Sequence, residues 1–236
     1  MTGSPAPAFA PPFAAARDLA AVEARVAVAV DGLLARQGAE GEWCFELEAD
    51  ATIPAEYIML GHYLGRPERD VEPKLAAYLR RIQGADGGWP LFHGAAGDVS
   101  ATVKAYYALK LAGDDPGVAH MARARAFVLA QGGAARANVF TRIALALFRQ
   151  VPWRAVPAMP VEIMLLPRWS PFHLDKVSYW SRTVIVPLLV LMALKPAAAN
   201  PSGIGIAELF RVPPEDERDW MGQARGNAWS RFFLAL

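Results

Sequence analysis

Gln37-Gly38-Ala39-Glu40-Gly41-Glu42-Trp43 returns 46 residues later as Gln83-Gly84-Ala85-Asp86-Gly87-Gly88-Trp89, with two changes. Both copies read Gln-Gly-Ala-acid-Gly-x-Trp. Each follows an amphipathic segment that ends in arginine, Arg36 in the first and Arg80-Arg81 in the second. A recurrence at this spacing is the mark of a helix-pair repeat. Glycine at a helix end takes the left-handed conformation that stops the helix. Glutamine can bond to backbone groups left open there, and the indole can stack over its amide. The pattern predicts a turn that staples one helix pair to the next, built on Gln37, Gly41, Trp43, Gln83, Gly87 and Trp89. A third, decayed copy is expected at Gln131-Gly132-Gly133, where Ala137 takes the tryptophan's place.

Outward from these turns, apolar residues recur at helical spacing almost everywhere. From Asp18, a plausible N-cap, Leu19, Val22, Val26, Val30, Leu33 and Leu34 form one face. Further helices are expected over about 55–64, after Pro54, and over 71–82, 100–111, 118–130 and 139–148. The last are expected over 161–166 and 177–194, after a proline-punctuated crossing from 152 to 160. Strand alternation is not convincing; its one rival is the β-branched run Thr183 to Val186. The fold class is therefore all-α, with roughly seven to nine helices and glycine-rich turns.

Composition narrows the function. Apolar residues make up 54% of the 236 and charged residues 20%, which argues against disorder. The net charge of +1 gives nucleic acid no electrostatic hold. The single cysteine, Cys44, excludes an internal disulfide and a thiolate-rich zinc site; it reads as a small buried apolar side chain. His62, His93, His120 and His173 lack metal-ligand spacing and read as satisfied or surface histidines. The longest nearly apolar run, Val184 to Leu194, is interrupted by Pro187 and is too short for a bilayer, which needs about 20 residues. Residues 1–17 are Ala/Pro-rich without a basic start, and read as a disordered leader rather than a secretory signal.

The turns, and the segments between them, resemble the squalene–hopene cyclase family. Lys74, Tyr78, Leu79, Gln83, Gly87 and Trp89 fill that family's Gln-Trp repeat. Ile53-Pro54-Ala55-Glu56-Tyr57-Ile58, Asp98 to Tyr106, Asn138 to Arg142, Pro152-Trp153, Pro160 to Met164, Tyr179 to Thr183 and Ala207 to Phe210 match it in order. The resemblance implies an α-α barrel of helix pairs, one barrel of a two-barrel cyclase. Helix 18–37 would then belong to the other barrel, residues 38–220 to the N-terminal barrel, and 221–236 to the start of a further apolar helix.

The same resemblance implies cyclisation of squalene to hopene or diplopterol, begun by a protonated aspartate and needing no cofactor. The acid sits in an Asp-x-Asp-Asp motif in the family's C-terminal half, and this chain has none. Asp114-Asp115 lacks the leading Asp-x and precedes Pro116, so it reads as turn chemistry. The chain ends within an apolar run and looks like the first part of a longer enzyme. The resemblance places Trp180 on the substrate cavity, since an indole face attracts a cation yet cannot act as a base. Ile185, a turn and a half on, is expected on the same channel. Glu56 and Glu162, near helix starts, are explained by the helix dipole without catalysis. Charge followed by Trp229 and Phe232, Phe233 and Leu234 suits a helix lying in a membrane interface. The implied partners are squalene, the cytoplasmic face of a membrane as a peripheral protein, and the missing half or a partner chain; a second copy is a further candidate. Two readings stay open: an isoprenoid-binding barrel or split-cyclase subunit without catalysis, and a cyclase of oxidosqualene or a diterpene.

Overall fold

The computed structural model describes residues 17–44 and 50–220. The chain divides between Glu48 and Ala49 into two compact units. The leader expected over 1–17, apart from Arg17, and the terminal helix expected over 221–236 lie outside the described residues. So do Phe232, Phe233 and Leu234.

The first unit carries α1 (Arg17–Leu34) and the first Gln-Trp turn. The helix begins one residue before Asp18, which lies in the first turn rather than at the N-cap. Leu19, Val22, Val26, Val30 and Leu33 share one face as their period predicts, and all five are exposed. No described residue of this unit is fully buried. Cys44 is accordingly exposed, against the expectation of a buried side chain: a single helix and its turn offer it no core to enter.

In the second unit six helices follow: α2 (Thr52–Tyr63), α3 (Glu72–Arg81), α4 (Val99–Leu111), α5 (Ala119–Ala130), α6 (Val139–Leu147) and α7 (Tyr179–Leu194). The described residues contain no strand, only an isolated bridge between Trp89 and Asp98. Pro54 falls in the first turn of α2 instead of before it, where its missing N–H is no loss. The helix expected over 161–166 is a 3-10 turn, Val161–Leu165. Pro160 and Pro167 confine it to six residues, too few to propagate an α-helix. Thr183 to Val186 lie inside α7, so the strand rival fails. No described helix is long and apolar enough to cross a membrane.

Helix α4 is the centre of this unit. Its sequence, VSATVKAYYALKL, is apolar on nearly every side, and a helix apolar all round must be enclosed. It packs against α2, α3, α5 and α6. Asp98 caps it by accepting from the Ala101 N–H at 2.9 Å. Its polar side chains each find a partner, as burial demands. Lys104 donates to Glu56 on α2 at 2.8 Å. Tyr107 donates to the Ile204 carbonyl at 2.9 Å, and Tyr106 and Lys110 both bond to Glu208. These bonds hold the irregular segment 196–210 across the helix. Glu56 thus serves as the partner of a buried lysine, a role its place near a helix start did not disclose.

The two Gln-Trp turns share one set of hydrogen bonds. In the first, Gln37 Nε2 donates to Gly41 O at 2.7 Å, and Trp43 Nε1 to Leu33 O at 2.8 Å. In the second, Gln83 Nε2 donates to Gly87 O at 2.9 Å, and Trp89 Nε1 to Leu79 O at 2.8 Å. The indole N–H therefore caps a last-turn carbonyl of the preceding helix, one of those a helix leaves open. The left-handed glycines are Gly41 (φ 84°) and Gly87 (φ 87°), inside the turn rather than at the helix end itself. The third copy keeps only the helix stop. There the N–H groups of Gly132 and Gly133 close back on Leu129 and Val128, and no tryptophan follows.

The second copy does more than fold on itself. Gln83 Nε2 also donates to His120 O in the first turn of α5, at 2.9 Å, and Arg123 donates to Gln83 Oε1 at 2.8 Å. Asp114 completes the joint by accepting from Arg80 Nε at 2.9 Å and bonding to His120 Nε2 at 2.6 Å. Asp115 does the expected turn work, accepting from the Gly117 N–H at 2.6 Å. Burial pushes the Asp114 carboxyl up, but the bonds from Arg80 and His120 outweigh it and leave it below the ordinary range. A depressed carboxyl stabilises the fold above its unfolded pKa, and that contribution is lost as pH falls through the folded value. Asp114→Asn is expected to lower the melting temperature at neutral pH and to narrow the gap from wild type under acid. Melting curves taken from pH 7 downward check this; a gap constant with pH would contradict it.

Candidate functional site

Ser178 starts α7, its hydroxyl accepting from the Ser181 N–H at 3.3 Å. The helix buries Leu189 and packs Leu188 and Met192 on the core. Trp180, Val184, Val190 and Leu194 look the other way, and Trp180 is 80% exposed. Thr183 Oγ1 donates to the Trp180 carbonyl at 2.7 Å and fixes this first turn. Ile185 is half-buried. Five residues of helix turn it about 140° from Trp180. The two residues expected on one channel are not brought onto one face of α7.

The segment leading into α7 adds side chains that sequence reading missed. Leu165, Trp169 and Phe172 are exposed by 84%, 81% and 71%. The chain that carries them is short turns joined by proline and polar bonds. Lys176 Nζ donates to the Trp169 carbonyl at 3.2 Å. Arg168 Nε donates to Asp175 at 3.1 Å, and His173 Nδ1 accepts from the Asp175 N–H at 3.0 Å. The available signal was the density of aromatics between Pro167 and Trp180, which no helical period organised. Together Trp169, Phe172, Tyr179 and Trp180 make an exposed aromatic stretch. Such rings stabilise a cation through their faces without removing its proton.

A proton donor to a hydrocarbon needs the opposite electrostatics from those of the shifted carboxyls here. Burial pushes Glu208 up, but the bond from Lys110, its backbone bond and the bond from Tyr106 hold it below the usual range. Asp114 is likewise depressed. Both are kept ionised by cations. The histidines are occupied or exposed: His62 bonds Glu72 at 2.9 Å, His120 bonds Asp114, and His93 is exposed. Among the described residues no three potential ligands gather as a metal site.

An all-α fold with two matching Gln-Trp turns, the second of which joins α3 to α5, defines a helix-pair repeat protein. The family model described as the squalene-hopene cyclase N-terminal domain matches residues 26–236. The chain is 57% identical over 216 residues to a squalene–hopene cyclase of Zymomonas mobilis, covering 91% of this chain and 32% of that protein. It is 58% identical over 194 residues to that of Bradyrhizobium diazoefficiens, covering 82% of this chain and 29% of that protein. A dammaradiene synthase of Dryopteris crassirhizoma is 36% identical over 206 residues, or 87% of this chain and 30% of its own length. The chain belongs to the squalene–hopene cyclase family, in its N-terminal domain. It spans about a third of the length of these relatives.

Proposed function

We propose that the chain serves cyclisation of squalene to hopene or diplopterol, as the N-terminal part of a cyclase whose acid lies in the remaining two thirds. The observation that carries this is the 57–58% identity, over 82–91% of this chain, to two proteins named squalene–hopene cyclase. The exposed aromatic stretch supports it: Trp180 is the wall that a travelling carbocation would pass. The sequence holds no Asp-x-Asp-Asp motif, and Asp114 and Glu208 are held below the usual carboxylate range, so residues 1–236 alone are expected to be inactive. The overall reaction is an isomerisation, or hydration where water ends it. Squalene lies in bilayers, so the enzyme works at a membrane surface, and the run Phe232, Phe233, Leu234 is its proposed contact.

Trp180→Ala in a complete enzyme tests the assignment. A cation–π contact is worth about 0.5–2 kcal/mol, so its loss is expected to lower kcat/KM about tenfold and to change the ratio of cyclised products. The melting temperature should stay near wild type, because the side chain is 80% exposed in the described chain. Products are read by gas chromatography. An unchanged product ratio with a large fall in melting temperature would make Trp180 a core residue.

A further inference from the structure

Arg149 and Lys195 stand at two helix ends where glycine is the usual choice. They follow α6 and α7 and have φ of 57° and 46°. This left-handed region disfavours any residue with a Cβ, and asparagine or glycine enters it more easily. A helix C-terminus favours a nearby cation, which accounts for the positive charge but not for the backbone. Both residues are exposed, and neither side chain has a hydrogen-bond or ion-pair partner among the described residues. Both line one cleft of about 290 Å³ with Val151, Trp153, Pro196 and Glu215.

The charges around this cleft leave a surplus of cation. Glu215 is its one acid. Arg154 is engaged nearby with the Glu215 main-chain carbonyl. Beside Lys195 on the α7 side, Leu194 is 72% exposed and Val190 is 45% exposed. Two unpartnered cations and an indole line the cleft, and the residue before Lys195 is an exposed leucine; together these are the chemistry of an interfacial headgroup site. We infer that the cleft binds the phosphate of an anionic lipid headgroup, with Arg149 and Lys195 as its ligands and Leu194 entering the acyl layer. Headgroup binding does not rest on the cyclisation reading: vesicle binding reads it whether or not squalene is turned over.

The test uses the full-length enzyme and flotation with phosphatidylcholine vesicles, with and without phosphatidylglycerol. Wild type is expected to gain about tenfold or more in binding from phosphatidylglycerol. Arg149→Asn/Lys195→Asn should lose that gain, bind pure phosphatidylcholine as wild type does, and melt no lower, since asparagine suits the left-handed backbone. Arg149→Lys should keep the gain, and Glu215→Gln should enlarge it. An undiminished gain in the folded double variant overturns the inference. So does a phosphate-induced rise in melting temperature that the double variant abolishes while its vesicle binding is unchanged, which would mark a soluble-anion site.

Discussion

Trp89→Ala is expected to be the most damaging single substitution in the second unit. The indole is fully buried, and its N–H caps the Leu79 carbonyl at the end of α3. Its own backbone N–H is held by Thr102 Oγ1 at 2.9 Å, and its carbonyl accepts from the Asp98 N–H, so the residue also aligns the start of α4. Removing a buried tryptophan side chain costs about 3–5 kcal/mol, a large share of the stability of a domain. The Leu79 carbonyl would lose its donor as well, adding roughly 1 kcal/mol. Trp89→Phe keeps most of the packing without the N–H, and should fall between. Trp43→Ala removes a side chain that is half exposed, and is expected to cost about 1–2 kcal/mol. Thermal melts of the three variants order them; equal losses at Trp43 and Trp89 would contradict the difference in burial.

Gly87→Ala is expected to come next, and Gly41→Ala is its internal control. Both glycines have the same left-handed φ, so both substitutions pay the conformational penalty of about 1–2 kcal/mol. Their surroundings differ. A Cβ on Gly87 would lie 2.8 Å from the Arg123 carbonyl oxygen and 2.9 Å from its carbon, both backbone atoms of α5. On Gly41 the nearest atom is Gln37 Nε2, at 3.7 Å. Gly87→Ala must therefore also push α5 away, weakening the bonds from Gln83 to His120 and from Arg123 to Gln83. Overpacking of this kind adds about 1–3 kcal/mol. The melting temperature should drop clearly further for Gly87→Ala than for Gly41→Ala. Equal drops would mean that the turn does not press on α5.

The helices were legible because their apolar residues keep one period and their ends carry Gly, Pro, Asp or Asn. Asp98 and Asn138 cap α4 and α6 within a residue of the expected starts. The Gln-Trp turn was legible as a repeat, though not in its bonding. Sequence spacing shows that Gln83 and Trp89 recur, but not that the indole N–H reaches Leu79 or that the amide reaches α5. Those partners lie across turns whose path is set by tertiary packing. Cys44 was misread because burial is a property of the surroundings, and its unit is one exposed helix. The aromatic segment from Leu165 to Phe172 was hidden for another reason. Its order comes from short turns and side-chain bonds to main chain, such as that from Lys176 to Trp169, and these leave no period to read. Trp180 stood out only through the resemblance of the residues around it.

Incubation of squalene with purified residues 1–236, alone and completed by the Asp-x-Asp-Asp-bearing two thirds of a cyclase, is the most direct test. Products are read by gas chromatography against a protein-free blank. The chain alone should give no hopene, and the completed enzyme should give hopene or diplopterol. Hopene from the chain alone, or a folded, completed enzyme that leaves squalene untouched, would contradict the proposed function.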